Sequence, residues 1–320
     1  MGGLSVHHRA LLGLVLANAV WGSTFVVAQD VTNPAHPTSL APMRYIIVRF
    51  SIAVALMLLI WVRRLRRLPT QTMIHGLWLG LFLGLGYVLQ AQGLAWSGSP
   101  SKAAFITGSS VLLVPLFGAW FGKRRPTAGN LLGLVIAFIG FTLLCFPDDH
   151  TRGWRWSDAV SFGCTVPFAV HIVLVERYAE RSDVDALNIV QLGVSVLVAA
   201  AGWLALAGWA ALNWPVPSVL APELLPLTLT TRQVWELLYL VAFGTILCYR
   251  LQTWAQRHVS ATQTALTLTL EPVFASLMAF LVGVEQLGWR ELLGGALTIA
   301  GVIVSEVAGT ANTHAEKNLT

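Results

Sequence analysis

The chain has 320 residues, of which 56% are hydrophobic and only 11% are charged, and its mean hydropathy is +0.69. A soluble domain carries about 25% charged residues, so this composition excludes a soluble globular protein and indicates one that lies within a lipid bilayer. The formal net charge of +5 does not indicate nucleic-acid binding, because the basic residues fall in short loops between apolar runs.

Ten apolar runs follow one another along the chain, each near the length of roughly 20 residues that a spanning helix needs. They predict transmembrane helices near residues 11–28, 43–62, 76–94, 101–121, 128–146, 156–175, 187–209, 233–251, 261–281 and 289–308. The connections are mostly short, so the sequence predicts an all-α polytopic membrane protein without a soluble domain. Most of the 20 Lys and Arg residues, including "RRLRR" at 63–67, fall on one side, which predicts that both termini are cytoplasmic.

The chain also contains an internal repeat with an offset of 161 residues. "KRRPTAGNLLGLVIAFIG" at 123–140 aligns without a gap with "VEQLGWRELLGGALTIAG" at 284–301, so helices 4 and 5 match helices 9 and 10. Because five is an odd number, the second copy must be inverted relative to the first. We predict two inverted five-helix repeats, at residues 10–147 and 156–308. Secondary transporters commonly have this arrangement, with the substrate near the membrane midplane between the repeats.

Polar and aromatic side chains near the middle of predicted helices are candidates for a substrate site. A polar group at that depth needs either a protein partner or a wet cavity. Tyr87 and Gln90 lie three residues apart and therefore share one face of helix 3. Each candidate has an alternative interpretation as packing or hydrogen bonding inside the bundle. The predicted substrate-binding residues are Trp21, Thr24, Tyr87, Gln90, Ser109 and Phe168.

Three further residues are candidates for coupling or gating. Glu271 lies near the middle of helix 9, where an ionised carboxylate costs on the order of 2.5–3.5 kcal/mol, so it must be protonated, paired or in contact with water. It is interpreted either as a proton-coupling carboxylate or as a structural anchor. Arg49 in helix 2 could extend to the outer surface, pair with Glu271 or attract an anionic group of the substrate. Pro272 interrupts the hydrogen bonding of helix 9.

Two local patterns carry weaker expectations. Gly76, Gly80 and Gly84 recur every four residues, which predicts the close approach of another helix. Tyr249 and Arg250 are expected at the inner membrane interface, at the end of helix 8.

Four segments resemble the EamA-domain branch of the drug/metabolite transporter superfamily, and the resemblance extends from about residue 10 to 308. They are "WGSTFVVAQ" in helix 1, "RYIIVRF" in helix 2, "AFITGSSVLLVPLFGAWF" in helix 4 and "LTLTLEPVFASLMAFLVGVEQLGWRELLGGALTIAGVIV" across helices 9 and 10. The chain departs from the pattern at Val111, where the second repeat has Pro272, and at Lys123-Arg124, where such proteins often carry Glu. The resemblance implies a ten-helix exporter of amino acids or related small metabolites in a bacterial inner membrane.

Together these features predict a secondary transporter that moves small neutral or zwitterionic solutes by alternating access, with efflux as the direction. Its expected partners are a small-molecule substrate, the lipid bilayer and protons as the candidate coupling ion, with no nucleic acid and no cofactor or metal. We do not expect an enzyme, because "HIVLVE" at 171–176 lacks a second set of metal ligands. The alternatives are a membrane-embedded enzyme and a passive facilitator without proton coupling. The sequence gives no indication of the oligomeric state.

Overall fold

A computed structural model describes residues 4–32, 38–65, 68–97, 106–123, 125–145, 156–218, 220–281, 283 and 288–317. Helices account for most of these residues, and no strand occurs in the described ranges. They follow the ten predicted runs, and we number them accordingly. The helices are α1 (Val6–Thr32), α2 (Pro42–Leu65), α3 (Thr70–Ser97), α4 (Ile106–Phe121), α5 (Ala128–Cys145), α6 (Trp156–Gly163 and Thr165–Ala179), α7 (Val184–Ala211), α8 (Thr231–Tyr239, Leu240–Leu247 and Cys248–Ala255), α9 (Ala261–Leu268 and Glu271–Leu281) and α10 (Trp289–Lys317).

Six of these helices are long and apolar enough to cross a membrane within the described ranges, namely α2, α3, α6, α7, α8 and α10. The helices α4 and α5 are apolar but shorter, and α9 is divided into two pieces. Many large apolar side chains on the outside of the bundle are exposed, such as Trp120, Leu116 and Leu197. An apolar exterior of this kind is stable only against lipid. The prediction of an all-α polytopic membrane protein is confirmed.

Three helices are interrupted, α4 near its described start and α6 and α9 nearer their middles. Turns replace the helix at Ser109 in α4, at Cys164 in α6 and at Thr269 and Leu270 in α9. At each interruption a backbone N–H bonds the carbonyl three residues earlier, at 3.1–3.2 Å, which tightens the chain locally. Pro167 and Pro272 follow the interruptions of α6 and α9 within three residues, and proline removes one helical hydrogen bond there. In α4 the proline, Pro115, lies six residues after the turn at Ser109.

The helices α5 and α10 pack against each other in a reciprocal way. A Cβ on Gly133 would lie 2.5 Å from the carbonyl oxygen of Gly301, and one on Gly140 would lie 2.5 Å from that of Gly294. Since Gly133 corresponds to Gly294 and Gly140 to Gly301 at the 161-residue offset, each glycine contacts the equivalent of the other. The two helices run antiparallel at this contact. The predicted pair of inverted repeats would produce this packing.

The other main contacts join helices of the first half of the chain to helices of the second half. The helix α1 packs against α8 and α9, and its counterpart α6 packs against α3 and α4; α2 packs against its own counterpart α7. Close packing of α3 on α7 is confirmed as well, because Cβ atoms on Gly76 and Gly80 would lie 2.5 Å or less from atoms of α7. The helices α1, α3, α6, α8 and α9 consequently meet in the middle of the bundle.

Candidate functional site

Two tyrosines meet at the centre of the bundle. The hydroxyl of Tyr87 on α3 lies 2.7 Å from the hydroxyl of Tyr249 on α8. The two residues are 162 positions apart, within one position of the repeat offset, and they lie on equivalent helices. Their contact therefore joins α3 in the first half of the chain to α8 in the second half.

Aromatic rings from three further helices surround this pair. Trp21 contacts Tyr249 edge to face with ring centres 5.8 Å apart, and Phe168 contacts Tyr87 in the same way at 5.6 Å. Phe50 on α2 contacts Tyr87 at 5.1 Å. Edge-to-face contacts of this kind are favourable because the ring edge is positive and the ring face negative. Three predicted site residues, Trp21, Tyr87 and Phe168, thus lie in one cluster.

The middle of α8 is a π-helix from Leu240 to Leu247, a form that is rare and frequent at functional sites. It presents one backbone oxygen and one side-chain oxygen to the cluster. The indole Nε1 of Trp21 donates to the carbonyl oxygen of Gly244 at 2.8 Å. The hydroxyl of Thr245 donates to the Leu240 carbonyl five residues earlier, which leaves its lone pairs for another donor.

That donor is Arg49, which is 6% exposed. Its Nε donates to the Thr245 hydroxyl and its Nη1 to the Tyr45 hydroxyl, both at 2.7 Å. The guanidinium carbon also lies 5.8 Å from the ring centre of Phe50. No carboxylate in the described ranges forms an ion pair with Arg49, so the structure contains neither the pairing with Glu271 nor the extension to the outer surface that were considered from the sequence.

Thr24 lies beside Arg49 and is buried. Its hydroxyl donates to the Trp21 carbonyl within α1 at 2.8 Å. Its methyl carbon faces Gly244, at 3.1 Å from the position that a Cβ would take there. The structure places Thr24 in the same cluster as Trp21, with its polar atom directed to its own helix.

Glu271 is the first residue of the second half of α9 and is half-buried. Its carboxylate lies within electrostatic range of Tyr87 and Cys248. No hydrogen bond or ion pair of this carboxylate occurs with any described residue. Pro272 is the second residue of that half-helix, at a position where a missing N–H costs little. The adjacent contact with α1 is close, since a Cβ on Gly22 would lie 2.7 Å from the Ala275 nitrogen.

Gln90 and Ser109 are half-buried, and no hydrogen bond with a described residue joins either to the cluster. The Ser109 hydroxyl donates to the Ile106 carbonyl at 2.5 Å and helps to form the turn in α4. The neighbouring Thr107 hydroxyl lies 3.4 Å from the Cys164 thiol, which joins the interruptions of α4 and α6. Of the nine predicted site residues, Gln90, Ser109, Glu271 and Pro272 have no hydrogen bond or ring contact to the cluster among the described residues.

The sequence reasoning missed five residues of the site: Tyr45, Phe50, Gly244, Thr245 and Tyr249. The expectation that Tyr249 lies at the inner interface is wrong, because α8 continues to Ala255 and places Tyr249 more than one turn deeper. The repeat could have found it, since Tyr249 lies one position from the equivalent of Tyr87. Nothing in the sequence indicates the π-helix that brings Gly244 and Thr245 to the site.

Ion pairs and hydrogen bonds join helices at both ends of the bundle. At the end that holds the N-terminus of α1, Arg250 pairs with Asp185 on α7 at 2.5 Å and lies 4.6 Å from the ring centre of Trp61 on α2. At the opposite end, Arg232 on α8 pairs with Asp30 on α1 at 3.0 Å. The central cluster is thus enclosed between two sets of polar contacts.

A short 3-10 helix between α7 and α8, Ala221–Leu224, also contacts the opposite end. Its Glu223 accepts a hydrogen bond from the backbone nitrogen of Met43 at 2.8 Å, in the first turn of α2. Gln92 on α3 donates to the same oxygen at 3.3 Å. Burial raises the pKa of the Glu223 carboxyl, although its hydrogen bonds and Arg44 oppose the shift.

Comparison with known proteins gives the class and then the family. The sequence model of the EamA-like transporter family matches residues 8–146 and again residues 155–306. The chain therefore belongs to the EamA-like transporter family, and it is a multi-pass membrane transporter. Among the described residues, no three His, Cys, Asp or Glu side chains lie close enough together to hold a metal ion.

Curated relatives match most of this chain and are described only as transporters. The chain is 26% identical over 293 residues to an uncharacterized transporter of Archaeoglobus fulgidus, with 92% of this chain and 84% of the relative covered. It is 25% identical over 297 residues to the uncharacterized transporter YyaM of Bacillus subtilis, with 89% of each chain covered. A solved crystal structure is similar with a TM-score of 0.71 at 19% identity, covering 94% of this chain and 97% of the other, which supports the fold alone.

Proposed function

We propose that this protein is a secondary transporter that exports small neutral or zwitterionic metabolites, such as amino acids, by alternating access. The observation that carries the proposal is the position of the central cluster. Tyr87 and Tyr249 meet between the two predicted repeats, with Trp21, Phe168 and Arg49 around them. A site at that boundary can be exposed to one side or the other when the repeats rock about it.

The chemistry of the cluster favours a small solute with an apolar or aromatic part. Five aromatic rings from five different helices supply apolar surface, while one guanidinium and one carboxylate supply the charges. A nucleotide sugar is disfavoured, because phosphates require several cations and Arg49 is the only Lys or Arg near the described cluster.

The interrupted helices α4, α6 and α9 support a moving structure. Turns at the middle of a helix allow its two halves to tilt separately, and such breaks are frequent where transporters bind substrates and ions. Pro272 and Glu271 lie at the break of α9, beside the site. We propose that protonation of Glu271 couples a proton to the movement of the solute, and that Arg49 and Pro272 belong to the gate.

A passive facilitator is the second candidate. The Glu271 carboxyl has no hydrogen-bonding partner among the described residues. A carboxyl group in that position can stay protonated and uncharged, and it would then take no part in proton coupling. The two candidates differ in their response to a pH gradient and not in their architecture.

The proposal is tested by counterflow of labelled amino acids into liposomes that contain the purified protein and unlabelled solute. Trp21→Phe removes the hydrogen bond to Gly244 but keeps an aromatic ring. Losing one such bond costs about 1 kcal/mol, so we expect counterflow to fall roughly fivefold. The matched control is Trp120→Phe, because Trp120 is 83% exposed on the outside of the bundle, and its counterflow should equal that of the unaltered protein. Equal rates for both variants would contradict the assignment of the site.

A further inference from the structure

A partly open cavity lies between α7 and α8, at the end of the bundle that holds the N-terminus of α1. Its volume is about 280 Å³, near the lower end of the range of roughly 300–1,000 Å³ that ligand sites occupy. None of its described lining residues belongs to the central cluster, and all of them are half-buried. They are Val184, Leu247, Arg250, Leu251 and Trp254. The described wall is therefore apolar except for one arginine.

Arg250 has hydrogen-bond donors left for a ligand. Its Nε donates to the carboxylate of Asp185 at 2.5 Å, and its guanidinium carbon lies 4.6 Å from the ring centre of Trp61. Neither of its two Nη nitrogens has a hydrogen bond to a described residue. The guanidinium group can donate from these nitrogens to two oxygens of one phosphate at the same time. The arginine can therefore keep its contact with Asp185 and still bind an anion.

Basic residues near the cavity outnumber the acidic ones. Arg63 and Arg64 lie in the last turn of α2, the helix whose tryptophan contacts Arg250. The acidic residues at the start of α7 both have partners, since Asp183 accepts hydrogen bonds from backbone nitrogens of the first turn and Asp185 pairs with Arg250. The three arginines exceed the two aspartates in charge. A net positive charge beside an apolar cavity is complementary to an anionic amphiphile.

We propose that this cavity binds one anionic phospholipid, with its phosphate on the Nη nitrogens of Arg250 and an acyl chain along Leu247 and Leu251. Leu247 lies nearly one turn deeper in α8 than Arg250, so the apolar wall extends from the arginine toward the hydrocarbon core. Basic residues at the ends of membrane spans attract anionic lipids, and basic pockets between spans hold their headgroups. A lipid bound there would contact both α7 and α8. The inference does not depend on the substrate or on the direction of transport.

The test measures the unfolding temperature of the delipidated full-length protein in detergent, because a ligand that binds the folded state raises that temperature. The lipid probes are phosphatidylglycerol and phosphatidylcholine with identical acyl chains. Inorganic phosphate and glycerol 3-phosphate serve as anions without chains. Phosphatidylglycerol should reach its full effect at a concentration about fivefold lower than phosphatidylcholine does, and the two soluble anions should have no effect at these concentrations.

Two variants locate the effect. Val184→Phe places a ring in the cavity and keeps the ion pair between Arg250 and Asp185. The double variant Arg250→Gln/Asp185→Asn removes both charges together and leaves no buried charge without a partner. Each should lose the preference for phosphatidylglycerol. Arg125→Gln is the matched control, since Arg125 is exposed in the loop between α4 and α5, and it should keep the preference. The two lipids are compared within each variant, so a general loss of stability does not alter the result.

Three results would overturn the inference. Equal effects of the two lipids on the unaltered protein would show that the anionic headgroup is not recognised. An equal effect of inorganic phosphate or glycerol 3-phosphate would assign the site to a soluble anion. A preference that persists in Val184→Phe and in the double variant would place the lipid elsewhere on the protein.

Discussion

At the scale of single residues, the Tyr87–Tyr249 pair at the centre of the site contributes to the stability of the fold. That contribution can be measured without a substrate. One of the Tyr87 and Tyr249 hydroxyls donates a hydrogen bond to the other, at 2.7 Å, in a protein interior. Removing one leaves the other with an unsatisfied buried group, which costs about 1–3 kcal/mol. Removing both eliminates the unsatisfied group.

We therefore predict strong non-additivity between Tyr87→Phe and Tyr249→Phe. Each single variant should unfold at a lower temperature than the unaltered protein, and the double variant should be no less stable than either single one. The measurement is a double-mutant cycle of unfolding in detergent. Tyr178→Phe is the control, because its ring stacks on His75 far from the pair, and its effect should add to the others. Additive losses for the central pair would contradict the mutual hydrogen bond.

The aromatic residues of the site could be predicted from the sequence, whereas the residues that reach the site through unusual backbone geometry could not. Trp21, Tyr87 and Phe168 were predicted as site residues because aromatic side chains such as Trp and Tyr are enriched at the membrane interfaces. An aromatic side chain at mid-membrane depth therefore indicates a specific role. Gly244 and Thr245 could not be predicted, because their roles depend on a π-helix that no local signal announces. Gln90 and Ser109 share the residue types of a binding site but lie outside the described contacts of the cluster.

At the scale of elements, the contact between α5 and α10 determines how the two repeats are joined. A Cβ on Gly140 would lie 2.4 Å from the backbone nitrogen of Thr298, and a backbone atom cannot move aside as a flexible side chain can. Gly140→Ala is expected to lower the free energy of unfolding by about 1–3 kcal/mol. The measurement is unfolding in detergent by heat or denaturant.

The control for that variant is Gly208→Ala in α7, where nothing lies within 4 Å of the added Cβ. Alanine in an open helical position is favoured over glycine by up to about 1 kcal/mol, so this change should leave the protein as stable or slightly more stable. An equal loss at Gly140 and Gly208 would show that the α5–α10 contact has no special role.

The segment Ala221–Leu224 makes a second element-scale prediction through Glu223. Because burial raises its pKa, this carboxyl binds its proton more tightly in the folded protein than in the unfolded chain. Its stabilising contribution is full below the ordinary pKa of 4.5 and is lost as the pH rises through the raised pKa. The unaltered protein should lose stability over this pH interval, and Glu223→Gln should remove that part of the pH dependence. Identical pH profiles for the two proteins would contradict the shift.

At the scale of the whole molecule, the number of helices and the repeat could be read from the sequence because both depend on composition and periodicity. Long apolar runs predict spans directly, and the 161-residue offset pairs α4 with α9 and α5 with α10. Where the helices break depends on competition between proline, hydroxyl side chains and backbone hydrogen bonds. The sequence indicated the prolines, and the structure placed the turns at Ser109, Cys164 and Thr269.

The central claim is that solute movement through the site is coupled to protons at Glu271. The most direct measurement is uptake of labelled amino acids by liposomes containing the protein, with and without an imposed pH gradient, for the unaltered protein and Glu271→Gln. We predict that the gradient drives accumulation by the unaltered protein, and that Glu271→Gln loses this accumulation while exchange between labelled and unlabelled pools continues. Flux that ignores the pH gradient and persists in Glu271→Gln would contradict coupling and identify a passive facilitator.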